Sequence, residues 1–252
     1  MITPDDLKRI AGRERIGLGM IEKDHAITVA LAILSRDPLS DVLVFKGGTA
    51  IKKMFYPETR FSEDLDFDCP HDISAQLARG IRKPLLTCDE GAEFTGVTVE
   101  DARAEHARRL RLRYRDMNGY VTSIKLDLTF VEKPVMKTKR MKVKNLYGIE
   151  KIMINTMNIT EIMAEKVRAL IHTESPRHLY DIWFLLGKRV KPTRRLIDKK
   201  LSIYNETFDV NLVKGAVREV ERNWRMGLEA LLPEVPPLSA VVSRVLKAFS
   251  KL

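Results

Sequence analysis

Lys46 to Phe67 reads KGGTAIKKMFYPETRFSEDLDF. It takes over from a short apolar run, Val42–Phe45, expected as a strand that Gly47-Gly48 stops. Two glycines between a strand and a helix let the backbone approach a phosphate closely, and the helix N-terminus adds N–H groups and the positive end of the dipole. Lys46, Gly47, Gly48 and Thr49 are therefore candidate nucleotide-binding residues, with Thr49 also expected to cap the helix AIKKMFY. A Gly-Gly turn alone is a routine connector, so the weight falls on Phe61–Phe67, which alternates apolar and acidic residues as a strand does. Asp64 and Asp66 then project from one face, with Leu65 and Phe67 toward the core. Two carboxylates that close repel unless a cation or proton lies between them. Mg²⁺ (or Mn²⁺) held by carboxylates and substrate phosphates is the usual solution. Taken bare, the same spacing also suits an edge strand with solvated acids.

Downstream, ARRLRLRYRDMNGYVTSIKLDLTF (107–130) alternates on both sides of Asn118-Gly119, a hairpin signal. Arg109, Arg111, Arg113 and Arg115 share one face of the first strand, and Ser123, Lys125, Asp127 and Thr129 one face of the second. A three-residue loop with Gly119 left-handed puts the arginines on the side of Asp127; a two-residue loop puts them opposite. Asp127 is the third candidate metal ligand beside Asp64 and Asp66. Three carboxylates on neighbouring strands beside a phosphate turn are the two-metal arrangement for phosphoryl and nucleotidyl transfer. The arginine face and the basic stretch 137–144 fit either a solvated surface or a phosphate track.

Working outward, residues 1–36 read as helix, with IEKDHAITVALAIL (21–34) at helical spacing and Asp37-Pro38 ending it. Residues 73–90 read as helix with a break at Pro84, and 93–105 as a strand followed by a turn. From Ile159 the pattern is helical to the end, with Trp183 and Phe184 expected in the core. The expected architecture is α+β: N-terminal helices (1–36), a mixed β-sheet core (37–155) and a C-terminal helical domain (156–252).

The 252 residues carry 44 Lys+Arg against 34 Asp+Glu, a formal charge of +10, with 44% hydrophobic residues. That apolar fraction excludes wholesale disorder, and the basic surplus favours a polyanionic partner such as RNA, DNA or a nucleotide. No run is long enough for a membrane span and no secretory signal is visible. Two cysteines are too few for a disulfide framework, so a cytosolic placement is expected. The histidines lack metal-ligand spacing.

GGT, RFSEDLDF, AEKVRAL and PRHLYDIW together resemble the AbiEii-type nucleotidyltransferase toxins, which include the MenT toxins, within the DNA polymerase β-like nucleotidyltransferase superfamily. The resemblance runs from about Lys23 to Leu186 and fades in the last 60 residues. It implies a mixed-sheet nucleotidyltransferase core, with Gly48 and Thr49 in the phosphate turn, Asp64 and Asp66 as metal ligands and Ser62 beside them. It implies Lys166 as a phosphate contact, Asp181 as an acidic residue near the active site and Arg177 as a nucleotide contact. His178 stands where relatives commonly have Asp. By spacing alone, Arg177 and Asp181 could be a helix-surface ion pair. The resemblance also implies an NTP substrate, a tRNA 3′ end as a candidate acceptor and a cognate antitoxin. The competing readings are a non-catalytic RNA- or nucleotide-binding module on the same fold, and a transferase acting on a protein or small molecule.

Overall fold

The computed structural model describes residues 2–101, 106–131 and 133–252. The chain forms two compact units, Met1–Met157 and Asn158–Leu252. The turn expected at 102–105 lies outside the described residues.

The first unit opens with α1 (Pro4–Glu14), capped reciprocally by Thr3 and Asp6, and α2 (Leu18–Arg36), whose Ile21, Ile27, Leu31 and Leu34 are buried. Then come β1 (Val44–Lys46), α3 (Gly47–Ala50) running on as a π-helical turn to Phe55, β2 (Asp64–Asp68) and α4 (Ser74–Leu86). After α4 follow β3 (Glu93–Asp101), β4 (Ala107–Arg115), β5 (Val121–Thr129), β6 (Lys139–Lys142) and β7 (Met153–Thr156). The strands form one mixed sheet in the order β3-β4-β5-β2-β1-β7-β6, with β2 parallel to β5, β1 parallel to β7 and the remaining pairs antiparallel. The N-terminal helices thus belong to the same unit as the sheet.

Periodicity explains the register. Leu65 and Phe67 of β2 are buried, with Phe67 stacked on Phe45 of β1 at 4.9 Å between ring centroids. The apolar face of the hairpin, Leu110, Leu112, Ile124, Leu126 and Leu128, is likewise buried. The hairpin loop has three residues, Met117–Gly119, and Gly119 has φ +83°. Arg109 therefore pairs directly with Asp127, so the arginines and Asp127 share a face.

Four local expectations shift. β1 and β2 each lie further along the chain than the alternation suggested, which brings Lys46 and Asp68 into strands. α4 continues through Pro84, because burying Leu77, Ile81 and Leu85 on one face outweighs one lost hydrogen bond near its end. Thr49 is not the cap: Lys46 holds that position, and Thr49 lies inside the turn it was expected to start. Trp183 and Phe184 are only partly buried, and each ring carries a cation, Arg244 4.8 Å from Trp183 and Lys188 5.3 Å from Phe184.

The second unit is helical: α5 (Ile159–Thr173), capped by Asn158, α6 (Pro176–Gly187), α7 (Arg194–Leu201), α8 (Val210–Glu221) and α9 (Leu238–Phe249). Val167, Leu170, Leu179, Ile182, Val213, Val241 and Val245 form its core. Among the described residues, no helix is long and apolar enough to cross a membrane.

Candidate active site

β1 delivers the chain to Gly47 with φ +78°, a left-handed backbone that glycine adopts without strain. The glycine is required twice over. A Cβ at Gly47 would stand 2.1 Å from Oδ2 of Asp66, and one at Gly48 would stand 2.7 Å from the Arg60 guanidinium and 3.0 Å from Oγ of Ser62. The glycine turn and the RFSEDLDF motif, separated by a loop in sequence, are in close contact. Thr49 fastens them: its hydroxyl donates to the Asp64 carbonyl and so is committed to the sheet.

On β2, Asp64 and Asp66 are half-buried on one face, as the alternation required, and Asp68 continues the stripe. Asp68 is fully buried and pairs with Lys46 Nζ at 2.6 Å. Lys46, expected at the nucleotide, is thus anchored within the sheet at the entrance to the turn. β5 sets Asp127 beside Asp66 in the parallel register. Both Asp127 oxygens, however, accept from Arg109, at 2.7 Å from Nε and 2.8 Å from the second guanidinium nitrogen. The hydrogen bonds to Asp127, then its charge and that of Asp64, hold the Arg109 pKa above its ordinary value. The expected convergence of three carboxylates on one ion is therefore not what the side chains form. Among the described residues, no three carboxylate, histidine or cysteine side chains gather into a metal-holding group. Asp64 and Asp66 on one face do fit Mg²⁺, which needs only one or two carboxylates when phosphates and water complete its shell.

In the helical unit, Lys166 of α5 pairs with Asp181 of α6 at 2.9 Å, and the Asp181 side chain is 1% exposed. Asp181 is thus buried in a pair that joins two helices. Beside it, Lys200 of α7 meets Glu161 at 2.8 Å and Glu165 at 3.1 Å, all three buried. Arg177 is half-buried in the first turn of α6.

Sequence reading assigned no role to Arg60, Asp68 or Lys200. Asp68 was detectable, because DLDFD extends the i, i+2 stripe by one member, and Arg60 opens the RFSEDLDF motif. Lys200 carries no local signal; only folding brings it to Glu161.

The family described as "Nucleotidyl transferase AbiEii toxin, Type IV TA system" matches this chain over residues 29–250. The chain belongs to the AbiEii nucleotidyltransferase toxin family. The match extends through the last 60 residues, where the motif resemblance had faded. AbiEii membership makes the chain a nucleotidyltransferase and implies an NTP substrate and a cognate antitoxin. The chain is similar in fold to MenT4, a nucleotidyltransferase toxin from Mycobacterium tuberculosis, at 19% identity and a TM-score of 0.70, over 99% of this chain and 89% of that one. An antigenic nucleotidyltransferase-like protein from Paracoccidioides brasiliensis aligns at 13% identity and a TM-score of 0.42, over 83% of this chain and 94% of that one. No curated protein matches.

Proposed function

We propose that this AbiEii enzyme moves an NMP from an NTP to the 3′ hydroxyl of an RNA acceptor, tRNA foremost, in a reaction that depends on Mg²⁺ or Mn²⁺. The acceptor oxygen bonds to the α-phosphorus, the bond to the β-phosphate oxygen breaks and pyrophosphate leaves. The observation that supports this reading is the close approach of Asp66 to Gly47, between the acidic strand and the glycine turn to which we assign the phosphates. Asp64 and Asp66 would hold the cation, which supplies charge neutralisation for the triphosphate and the attacking oxygen. Asp127 would join them with Arg109 still bound to it or released from it.

Gly47 lets Asp66 pack against the turn, Gly48 does the same for Arg60 and Ser62, and Lys46 steadies the entry to the turn through Asp68; the N–H groups of the turn are assigned to the phosphates. In the helical unit, Lys166, held by Asp181, is assigned contact with phosphate, and Arg177 contact with the nucleotide, the roles the family resemblance implies. A cytosolic setting, where NTPs and tRNA occur, and an antitoxin that silences the activity complete the reading.

Purified protein incubated with each labelled NTP, Mg²⁺ or Mn²⁺ and total tRNA tests it. Label on tRNA from wild type but not from Asp64→Ala is the expected result. Label on the protein or a small molecule instead would move the acceptor. RNA binding with no transfer by wild type would leave a binding module and overturn the proposal.

A further inference from the structure

The helical turns that follow the glycine turn carry two adjacent lysines with opposite surroundings. Lys53 pairs with Asp24 of α2 at 2.9 Å and donates to the Thr28 hydroxyl, also at 2.9 Å, which anchors this helix to α2. Lys52 is buried as well, but among the described residues it has no carboxylate within ion-pair distance. Its ammonium donates instead to the Pro57 carbonyl at 2.7 Å and the Thr59 carbonyl at 3.0 Å, and stands 3.8 Å from the centre of the Phe61 ring. A buried charge without a counter-ion is costly to the fold, so the gain from this arrangement lies in what it places.

All three contacts fall on segment 57–61, which leads from the helix into the RFSEDLDF motif. Thr59, whose buried hydroxyl has no hydrogen-bond partner, is otherwise held by its own N–H, which donates to the Tyr56 carbonyl at 3.1 Å. The segment delivers Arg60, a buried guanidinium that donates to the Phe61 carbonyl at 3.0 Å and packs, with Ser62, against Gly48. One lysine thus closes a short loop that starts at the glycine turn and returns to it.

We infer that Lys52 is a positioning residue for the nucleotide end of the site: by pinning segment 57–61 to the helix behind the glycine turn, it sets Arg60 and Ser62 against Gly48. This rests on the assignment of the phosphates to that turn and is independent of the acceptor. Charge matters to the role. The ammonium makes charge-assisted bonds, roughly twice as strong as neutral ones, and attracts the Phe61 ring; the neutral amine keeps two N–H donors but neither advantage. Burial pushes the Lys52 pKa down to about 8, opposed by Asp24 of α2, aided by neighbouring Lys53 and opposed by Glu14 of α1 and Glu58 of the loop. Lys144 borders the same small cavity. The segment is therefore held most firmly below about pH 8 and more loosely above it.

The test is titration of the full chain with a fluorescent NTP analogue and Mg²⁺, without acceptor, with thermal melting to confirm that each variant is folded. Lys52→Met should weaken binding about tenfold, the worth of roughly one hydrogen bond to a charged group. Arg60→Ala should weaken it at least as much, and adding Lys52→Met to Arg60→Ala should change little further, because Lys52 acts through Arg60. Lys52→Arg should restore most of the affinity, since a cavity of about 90 Å³ beside Lys52 leaves room for the larger head group. From about pH 7 to about pH 9.5, wild-type affinity should fall several-fold while Lys52→Met and Lys52→Arg stay level. Unchanged affinity in Lys52→Met, a full second loss on top of Arg60→Ala, or the same fall with pH in Lys52→Met overturns the inference. The two proposals fail separately: NTP affinity that depends on Lys52 with no RNA labelled spares the positioning role and sinks the RNA transferase, and labelled RNA with affinity indifferent to Lys52 does the reverse.

Discussion

The sheet unit and the helical unit treat charge in opposite ways. On β2, Asp64 and Asp66 are half-buried on one face, with Asp66 packed against Gly47. On α5 and α7, Glu161 and Lys200 have no exposed side-chain surface and neutralise one another within the fold. A half-buried carboxylate keeps part of its hydration. A carboxylate sealed against an ammonium has spent its electrostatics on holding two helices in place. Lys52 shows a third arrangement, in the sheet unit: buried, it donates to the Pro57 and Thr59 carbonyls at 2.7 and 3.0 Å and stands 3.8 Å from the Phe61 ring centre. Burial pushes its pKa down to about 8.

The largest break in that comparison should come at Asp66. Asp66→Ala should reduce transfer by about a thousandfold or more, roughly 4 kcal/mol of transition-state stabilisation, with the melting temperature nearly unchanged. A protein that melts early yet still turns over would show that the sheet acids, like the helical ones, serve architecture. Lys200→Ala should do the reverse, costing about 3–5 kcal/mol in denaturant unfolding because Glu161 is left buried beside an empty partner position. Adding Glu161→Gln to that variant should return part of the loss.

Gly47→Ala is expected next. It places a methyl on Asp66 and strains a left-handed backbone, so transfer should fall on the order of a hundredfold, against a stability cost of about 1–2 kcal/mol. Equal loss of both would mean the turn is merely structural. The smallest effect is a pH dependence at Lys52. Below about pH 8 folded and unfolded states both hold the proton, and Lys52→Met differs from wild type by a constant. Between about pH 8 and the ordinary lysine value of 10.5 the unfolded chain holds a proton that the folded one has released. Wild-type stability should therefore rise with pH relative to Lys52→Met across that window, by up to about 3 kcal/mol. Paired unfolding curves at pH 7 and 10 check it, and parallel behaviour would place Lys52 in a wetter environment than its burial indicates.

The legible parts of this molecule are those in which chemistry and period coincide within a few residues. Alternation put Asp64 and Asp66 on one face, and Asn118-Gly119 announced the hairpin. The motif set reached the family before any strand was paired. What stayed hidden were partners far apart in the chain: Arg109 on Asp127, 18 residues away, and Lys200 on Glu165, 35 residues away.

The sequence by itself determined the mixed sheet with helices before and after it, the glycine turn, the acidic stripe and the nucleotidyltransferase family, because period, glycine placement and motif spacing are local properties. Only the tertiary structure decided which charges remain available for a ligand. Asp127 was claimed by Arg109, Lys46 by Asp68 and Lys166 by Asp181. The physical reason is that the pairing of a charge depends on strand register and helix packing, and its strength on how much water the fold excludes from it; neither is written in the order of residues around it.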